Sequence, residues 1–166
     1  MIPRPPRRLV SALICAASIA TLTVVTSPVR AASSVPFKGI FEGTFAISPL
    51  DLQLHFSGDG PASHLGDTGI VGDSQLAPAE PGCFDIVTDA VTLTAANGDA
   101  VFLTNSGQDC FDETGHIVGN ATFTVTGGTG RFAGASGTGT MQVVATPNQT
   151  GLAGTFVLSV VGRISY

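Results

Sequence analysis

Apolar and polar residues alternate one for one through most of residues 37–166, and no segment carries a convincing 3.6-residue stripe. A side-chain period of two belongs to extended backbone, so the chain has to fold as β-structure. Phe37, Gly39, Phe41, Gly43 and Phe45 fall on one face of a first strand, Lys38, Glu42 and Thr44 on the other. Past a break at Ser48-Pro49, Leu50, Leu52, Leu54 and Phe56 alternate with Asp51, Gln53, His55 and Ser57, which predicts a second strand paired as a hairpin with the first. A less regular region follows, Gly58-Asp59-Gly60-Pro61 to Pro81-Gly82, with a strand expected over 68–76. Ile86 to Ala95 and Val101 to Thr104 flank Asn97-Gly98, which predicts a tight type I′ turn. Ile117, Gly119, Ala121, Phe123 and Val125 mark the inner phase of a further strand. Two more are expected, over about 138–146 and from Phe156 to the last residue, Tyr166. About eight short strands at regular spacing imply a closed antiparallel barrel, with a β-sandwich as the alternative. Glycines inside strands, at Gly39, Gly43, Gly119, Gly139 and Gly162, favour the barrel, because they let strands coil at its corners.

The first 32 residues do not share this pattern. Arg4, Arg7 and Arg8 precede an apolar run from Leu9 to Val25, and Val29-Arg30-Ala31-Ala32 offers small residues for cleavage. That is the layout of a secretory signal peptide over 1–32, leaving one domain over 33–166 and an extracellular location. A membrane anchor is the competing reading. Ser18, Thr21 and Thr23 dilute the run and Pro28 closes it, which favours cleavage and no stable membrane insertion afterwards.

Without the leader only Lys38, Arg131 and Arg163 remain against twelve acids, a formal charge of −9. Three cations cannot neutralise a row of phosphates, so nucleic acid is excluded as a partner. Cys83 and Cys110 are the two cysteines beyond the leader. In an exported chain an even pair without Cys-x-x-Cys spacing reads as one disulfide rather than as a metal or redox site.

The densest motif is the run from Thr126 to Thr140, rich in glycine and threonine. Gly128-Thr129-Gly130-Arg131-Phe132-Ala133 fits a dinucleotide fingerprint, but that chemistry needs a helix N-terminus behind the loop. Ala135 to Thr140 is too glycine-rich to supply one, and no lysine follows the glycines as a phosphate loop requires. No cofactor site is expected there. The run reads instead as a strand-to-strand connection in which Phe132 fills apolar space.

His55, His64 and His116 lack metal-ligand spacing, and the acidic turns, including Asp109, Asp112 and Glu113, do not match a calcium loop. No metal is expected, and no catalytic serine, histidine and carboxylate set stands out.

Gly127-Gly128-Thr129-Gly130-Arg131-Phe132-Ala133-Gly134-Ala135-Ser136-Gly137 resembles the Gly-Gly-Thr-Gly-x-Phe-x-x-Ala-x-Gly signature of dirigent proteins and allene oxide cyclase-like barrels. The chain is closer still to a group of secreted bacterial proteins, mostly uncharacterised, in which further pieces recur in order. They match Phe37-Lys38-Gly39 with Glu42-Gly43-Thr44, Ser63-His64-Leu65-Gly66, Ala96-Asn97-Gly98-Asp99 and, after the run, Gly162-Arg163-Ile164-Ser165-Tyr166. The resemblance implies a calycin-like, eight-stranded antiparallel barrel with a central cavity. The fold-motif residues it marks are Gly127, Gly128, Thr129, Gly130, Phe132, Ala135 and Gly137; it carries over no activity.

Phenylalanines on one phase and few convergent charges lead to the expectation of a non-catalytic barrel binding a small apolar or amphiphilic ligand. A dirigent-type isomerase or cyclase is the rival, and it needs at least two polar side chains inside the cavity. A structural or cell-surface interaction protein, with the barrel filled and an outer face at work, is the third reading.

Overall fold

The computed structural model describes residues 33–166, so the leader expected over 1–32 lies outside the described residues. The described chain forms eight strands: β1 (Val35–Ile47), β2 (Gln53–Ala62), β3 (Gly66–Pro78), β4 (Cys83–Ala95), β5 (Ala100–Phe111), β6 (Ile117–Gly128), β7 (Ser136–Pro147) and β8 (Ala153–Ser165). Each pairs antiparallel with the next, and β8 returns to β1 from Ala46↔Ala153 to Val35↔Ile164. The sheet is a closed barrel, which decides against the sandwich. Closure leaves no free edge strand among the described residues.

Burial follows the predicted phase. Phe37, Phe41 and Phe45 of β1 are buried while Lys38, Ile40 and Glu42 face solvent, and Phe156, Leu158, Val160 and Ile164 of β8 continue the same interior. Rings fit the narrow interior because glycines lie beside them. A Cβ at Gly139 or Gly162 would come within 2.4 or 2.7 Å of the Phe123 ring, which spans both strands. Large and small residues thus alternate around the circumference rather than compete for the axis.

Three local expectations need correction. Leu50 is not a strand residue: it is 96% exposed in the β1–β2 turn, where Leu52 follows at φ +55°. The alternation ran on past the strand end by coincidence. β2 begins at Gln53 and continues through Gly58-Asp59-Gly60-Pro61, which looked like a loop. Those glycines are strand residues because β1 passes too close for a side chain; a Cβ on Gly58 would sit 2.2 Å from the Glu42 carbonyl. At Asn97-Gly98 only Gly98 takes positive φ, +86°, and its N–H donates to the Ala95 carbonyl at 2.9 Å. The hairpin therefore uses a three-residue loop, a type I turn closed by glycine, and not the two-residue I′ form. In β6, Phe102 faces Gly127 but Leu103 faces Val125. Thr126 is the extra residue of a bulge, which turns Gly128 rather than Gly127 toward the interior.

The glycine-threonine run closes one end of the barrel. Behind Thr129 the chain makes a single 3-10 turn, Gly130–Phe132, and enters β7 at Ser136. Gly130 has φ +56°, and a Cβ there would strike the Asp99 carboxylate at 1.8 Å, so both backbone and space demand glycine. Phe132 is fully buried against Tyr166, with ring centroids 4.8 Å apart and an edge-to-face tilt. Around it the turns are tied together. The Thr129 hydroxyl accepts the Ala100 N–H at 2.9 Å, the Thr129 N–H donates to the Ala100 carbonyl, and Arg131 donates to the His64 carbonyl while its guanidinium lies 3.6 Å from Asp99. Ser63 exchanges hydrogen bonds with the Lys38 backbone at 3.0 Å, and the His64 ring lies 3.0 Å from the Pro36 carbonyl. The separate motif pieces therefore meet at one end of the molecule, where they form its floor.

Replacing Phe132 with Ala should lower unfolding free energy by about 3–5 kcal/mol, read from urea denaturation. A midpoint equal to that of the unchanged protein would show that the plug carries no load.

Candidate functional site

The two ends of the barrel are built differently. Where the β2–β3, β4–β5 and β6–β7 turns meet, Phe132 seals the floor; at the opposite end a cavity of about 280 Å³ opens between the other four turns. Its walls are apolar: Phe45, Phe56, Phe156 and Leu158 lie deep, with Ile47, Leu76, Ile117 and Leu152 nearer the rim. Phe56 and Phe156 meet edge to face at 5.8 Å and stiffen one wall. The interior is thus packed solid at one end and hollow at the other. Its volume lies near the lower bound of the ~300–1,000 Å³ typical of small-molecule sites.

Five polar residues line the cavity: Ser74, Asn105 and Asp109, which are buried or half-buried, and Asn120 and Thr150, which are exposed. β5 supplies two of them, because Val101, Leu103, Asn105, Gly107 and Asp109 share its inner phase. Asp109 pairs in register with Gly119 on β6 and Phe84 on β4. Gly119 makes room for it: a Cβ at that position would sit 1.8 Å from the Asp109 carboxylate and 2.7 Å from Val143. Burial in this apolar setting pushes the Asp109 carboxyl up to about 6. The Asn105 amide N–H₂ faces the Met141 sulfur at 3.5 Å, and its Oδ1 is a buried acceptor with no protein partner. An acceptor left so is costly unless something donates to it.

The residues singled out in sequence divide between the two ends. Cys83 and Cys110 face each other across β4 and β5 and form the expected disulfide, beside the cavity mouth. Gly127, Gly128, Thr129, Gly130, Phe132, Ala135 and Gly137 all belong to the β6–β7 connection or its flanks at the sealed end, remote from the cavity. His55, His64 and His116 do not converge: His55 contacts Asp73 on the outer surface, His64 sits at the floor, and His116 joins Thr114 in the β5–β6 turn. Among the described residues no three metal-ligating side chains come together. Asp112 is occupied by its own turn. Its carboxylate accepts from the Thr114 hydroxyl and from the Thr114 and His116 N–H groups, which holds it below the usual carboxylate range.

Asp109 corrects the reading that grouped it with Asp112 and Glu113 as a solvated turn acid. β5 runs on to Phe111 instead of stopping near Thr104, and this carries Asp109 to the inner face. The signal was present in the alternation from Val101. It was hidden because Asn105, Gly107 and Asp109 are polar or small and look like a turn. Comparison with protein-family models, with curated proteins and with solved structures returns no match, so the site stands on its own geometry.

The raised carboxyl has a consequence for stability. The folded state holds its proton up to about pH 6, whereas the unfolded chain releases it near 3.8. Between those values the native state binds more protons, so Asp109's contribution to stability declines as pH rises from about 4 to 6 and is fully unfavourable above that. Replacing Asp109 with Asn should raise unfolding free energy at pH 7 by about 1–3 kcal/mol and leave it nearly unchanged at pH 4. Chemical denaturation of both proteins at the two pH values checks this, and a variant less stable at pH 7 would contradict it.

Proposed function

We propose that this protein is a secreted barrel that holds one small apolar or amphiphilic molecule in the cavity at its open end. The observation that carries the reading is the contrast between ends. A chain that buries six phenylalanines and seals its floor with one of their rings could fill the other half as well. Instead it leaves a space walled by Phe45, Phe56, Phe156 and Leu158 with a few polar groups, the composition of a small-molecule site. Export is proposed from the leader pattern over 1–32, and kinship with dirigent and allene oxide cyclase-like barrels from the motif pieces.

Ala121 lines the cavity on β6 and is only half-buried. Replacing it with Phe should fill the space and abolish binding of a hydrophobic fluorescent dye, while the variant keeps its β-sheet circular dichroism at a cost of about 1–3 kcal/mol. If the unchanged protein binds no dye and releases no small molecule in native mass spectrometry, the proposal fails.

A second reading, an isomerase or cyclase, is favoured by Asp109. A carboxyl titrating near neutrality in an apolar enclosure is suited to give or take a proton. Chromatography of the molecules extracted from the unchanged protein and from Asp109→Asn separates the two readings. Different isomers in the two extracts mean catalysis, and identical molecules mean binding alone.

A further inference from the structure

We infer that the cavity is selective for a cationic amphiphile, an apolar chain or ring bearing a protonated amine, with Asp109 as its counter-ion. This rests on the ligand-binding reading above and specifies the ligand's class.

The cavity offers a polar head group few charged partners. Asp109 is the sole ionisable side chain among the described residues that line it, since Cys110 is held in the disulfide. An ionised carboxylate can only accept hydrogen bonds. Asn105 lies four residues, about 13 Å, further along the same strand, and its unpartnered Oδ1 is itself buried, so it does not serve a head group held at Asp109. A head group that itself only accepts, such as a carboxylate or phosphate, meets no cation among the described lining residues, only the uncharged Ser74 and Thr150 hydroxyls as side-chain donors of that kind, and a carboxylate that repels it. One that donates satisfies the Asp109 carboxylate.

The distribution of charge over the whole barrel points the same way. Every lysine and arginine of the described chain sits near the sealed end. Lys38 borders Ser63, Arg131 spans the floor, and Arg163 donates to Ser34 at the N-terminal edge. The turns around the mouth carry only acids and a histidine: Asp51 between β1 and β2, Glu80 between β3 and β4, and Asp112, Glu113 and His116 between β5 and β6. Such a one-signed rim attracts cations and repels anions before they reach the site. Around Asp109 itself no cation compensates. Phe84 and Gly119 are its register partners, Asp85 on β4 points outward to Gln108 at 2.9 Å, and His116 is engaged with the Thr114 hydroxyl at 2.7 Å.

Position completes the case. Asp109 lies two residues from the end of β5 and is half-buried, whereas Phe45 and Phe156 on the same wall are buried. An ammonium on Asp109 keeps part of its hydration, and the apolar portion descends into the dry half. The cost of burying the ion pair is thereby limited. Gly119 is what permits this arrangement, since any side chain there would take the carboxylate's place.

The test measures binding of n-octylamine, n-octanol and octanoate to the purified protein by calorimetry at pH 8 and pH 5. An alkylammonium, like a lysine side chain, stays protonated at both. The expected order at pH 8 is amine, alcohol, carboxylate, with the amine at least about tenfold tighter than octanoate. At pH 5 the amine should weaken by up to about tenfold, as the carboxyl that titrates near 6 takes up its proton, while octanol changes little. In Asp109→Asn the amine's advantage over octanol should vanish. If octanol binds but octanoate binds as well as the amine, or the amine's preference survives in Asp109→Asn, the selectivity is overturned and the binding function stands. If none of the three binds, both fall.

Discussion

Everything inside this molecule depends on the pairing of β8 with β1. Its ladder, from Ala46↔Ala153 to Val35↔Ile164, turns an eight-stranded sheet into a tube and so creates an inside and two ends. Before that closure a period-two sequence has two faces, and neither is a core. After it one face is enclosed on every side, and the question becomes how the enclosed volume is divided. The Phe123 ring occupies space left by Gly139 and Gly162 on the neighbouring strands, and Phe132 with Tyr166 seals the floor. The remaining space lies at the far end, where Gly119 opens room for a carboxylate instead of an aromatic ring.

The division of labour between the ends gives the sequence motifs a different meaning from the one that makes them conspicuous. A glycine-threonine run looks like a ligand cradle because tight turns and exposed amides serve phosphates. Here the same properties serve construction. Gly130 lets the chain pass the Asp99 carboxylate, Thr129 completes the hydrogen bonding of Ala100, and Arg131 reaches across to His64. These turns are distant in sequence, and the floor is where they have to be held in register. The cavity end has no comparable motif. Its turns are polar and self-satisfied, as at Asp112, and its chemistry sits on strand interiors.

That explains which parts of the molecule could be read in advance. The strands are legible because an apolar face must repeat every second residue to be buried, as Phe37, Phe41 and Phe45 do. The disulfide between Cys83 and Cys110 is legible because two cysteines without Cys-x-x-Cys spacing, behind a leader-like segment, have few alternatives. Leu50 misled because one exposed apolar residue happened to extend the alternation into a turn. Gly58 and Gly60 misled in the opposite sense, because glycine marks both turns and close strand crossings. Asp109 was the costliest misreading: an acid near a Thr-Gly turn looks solvated unless the phase of Val101 and Leu103 is carried six residues further.

Sequence alone determined that this chain is all-β, that its strands expose one polar and one mixed apolar face, and that beyond residue 32 it carries three lysines and arginines against twelve acids. These follow from local periodicity and charge, which each segment carries by itself. Tertiary structure alone decided which face is the lumen, that the glycine-threonine run is a floor and not a site, and that Asn105 and Asp109 look into an apolar cavity. Those properties depend on which strands become neighbours around the ring. A carboxylate's environment is set by residues ten to seventy positions away, and no local pattern records it.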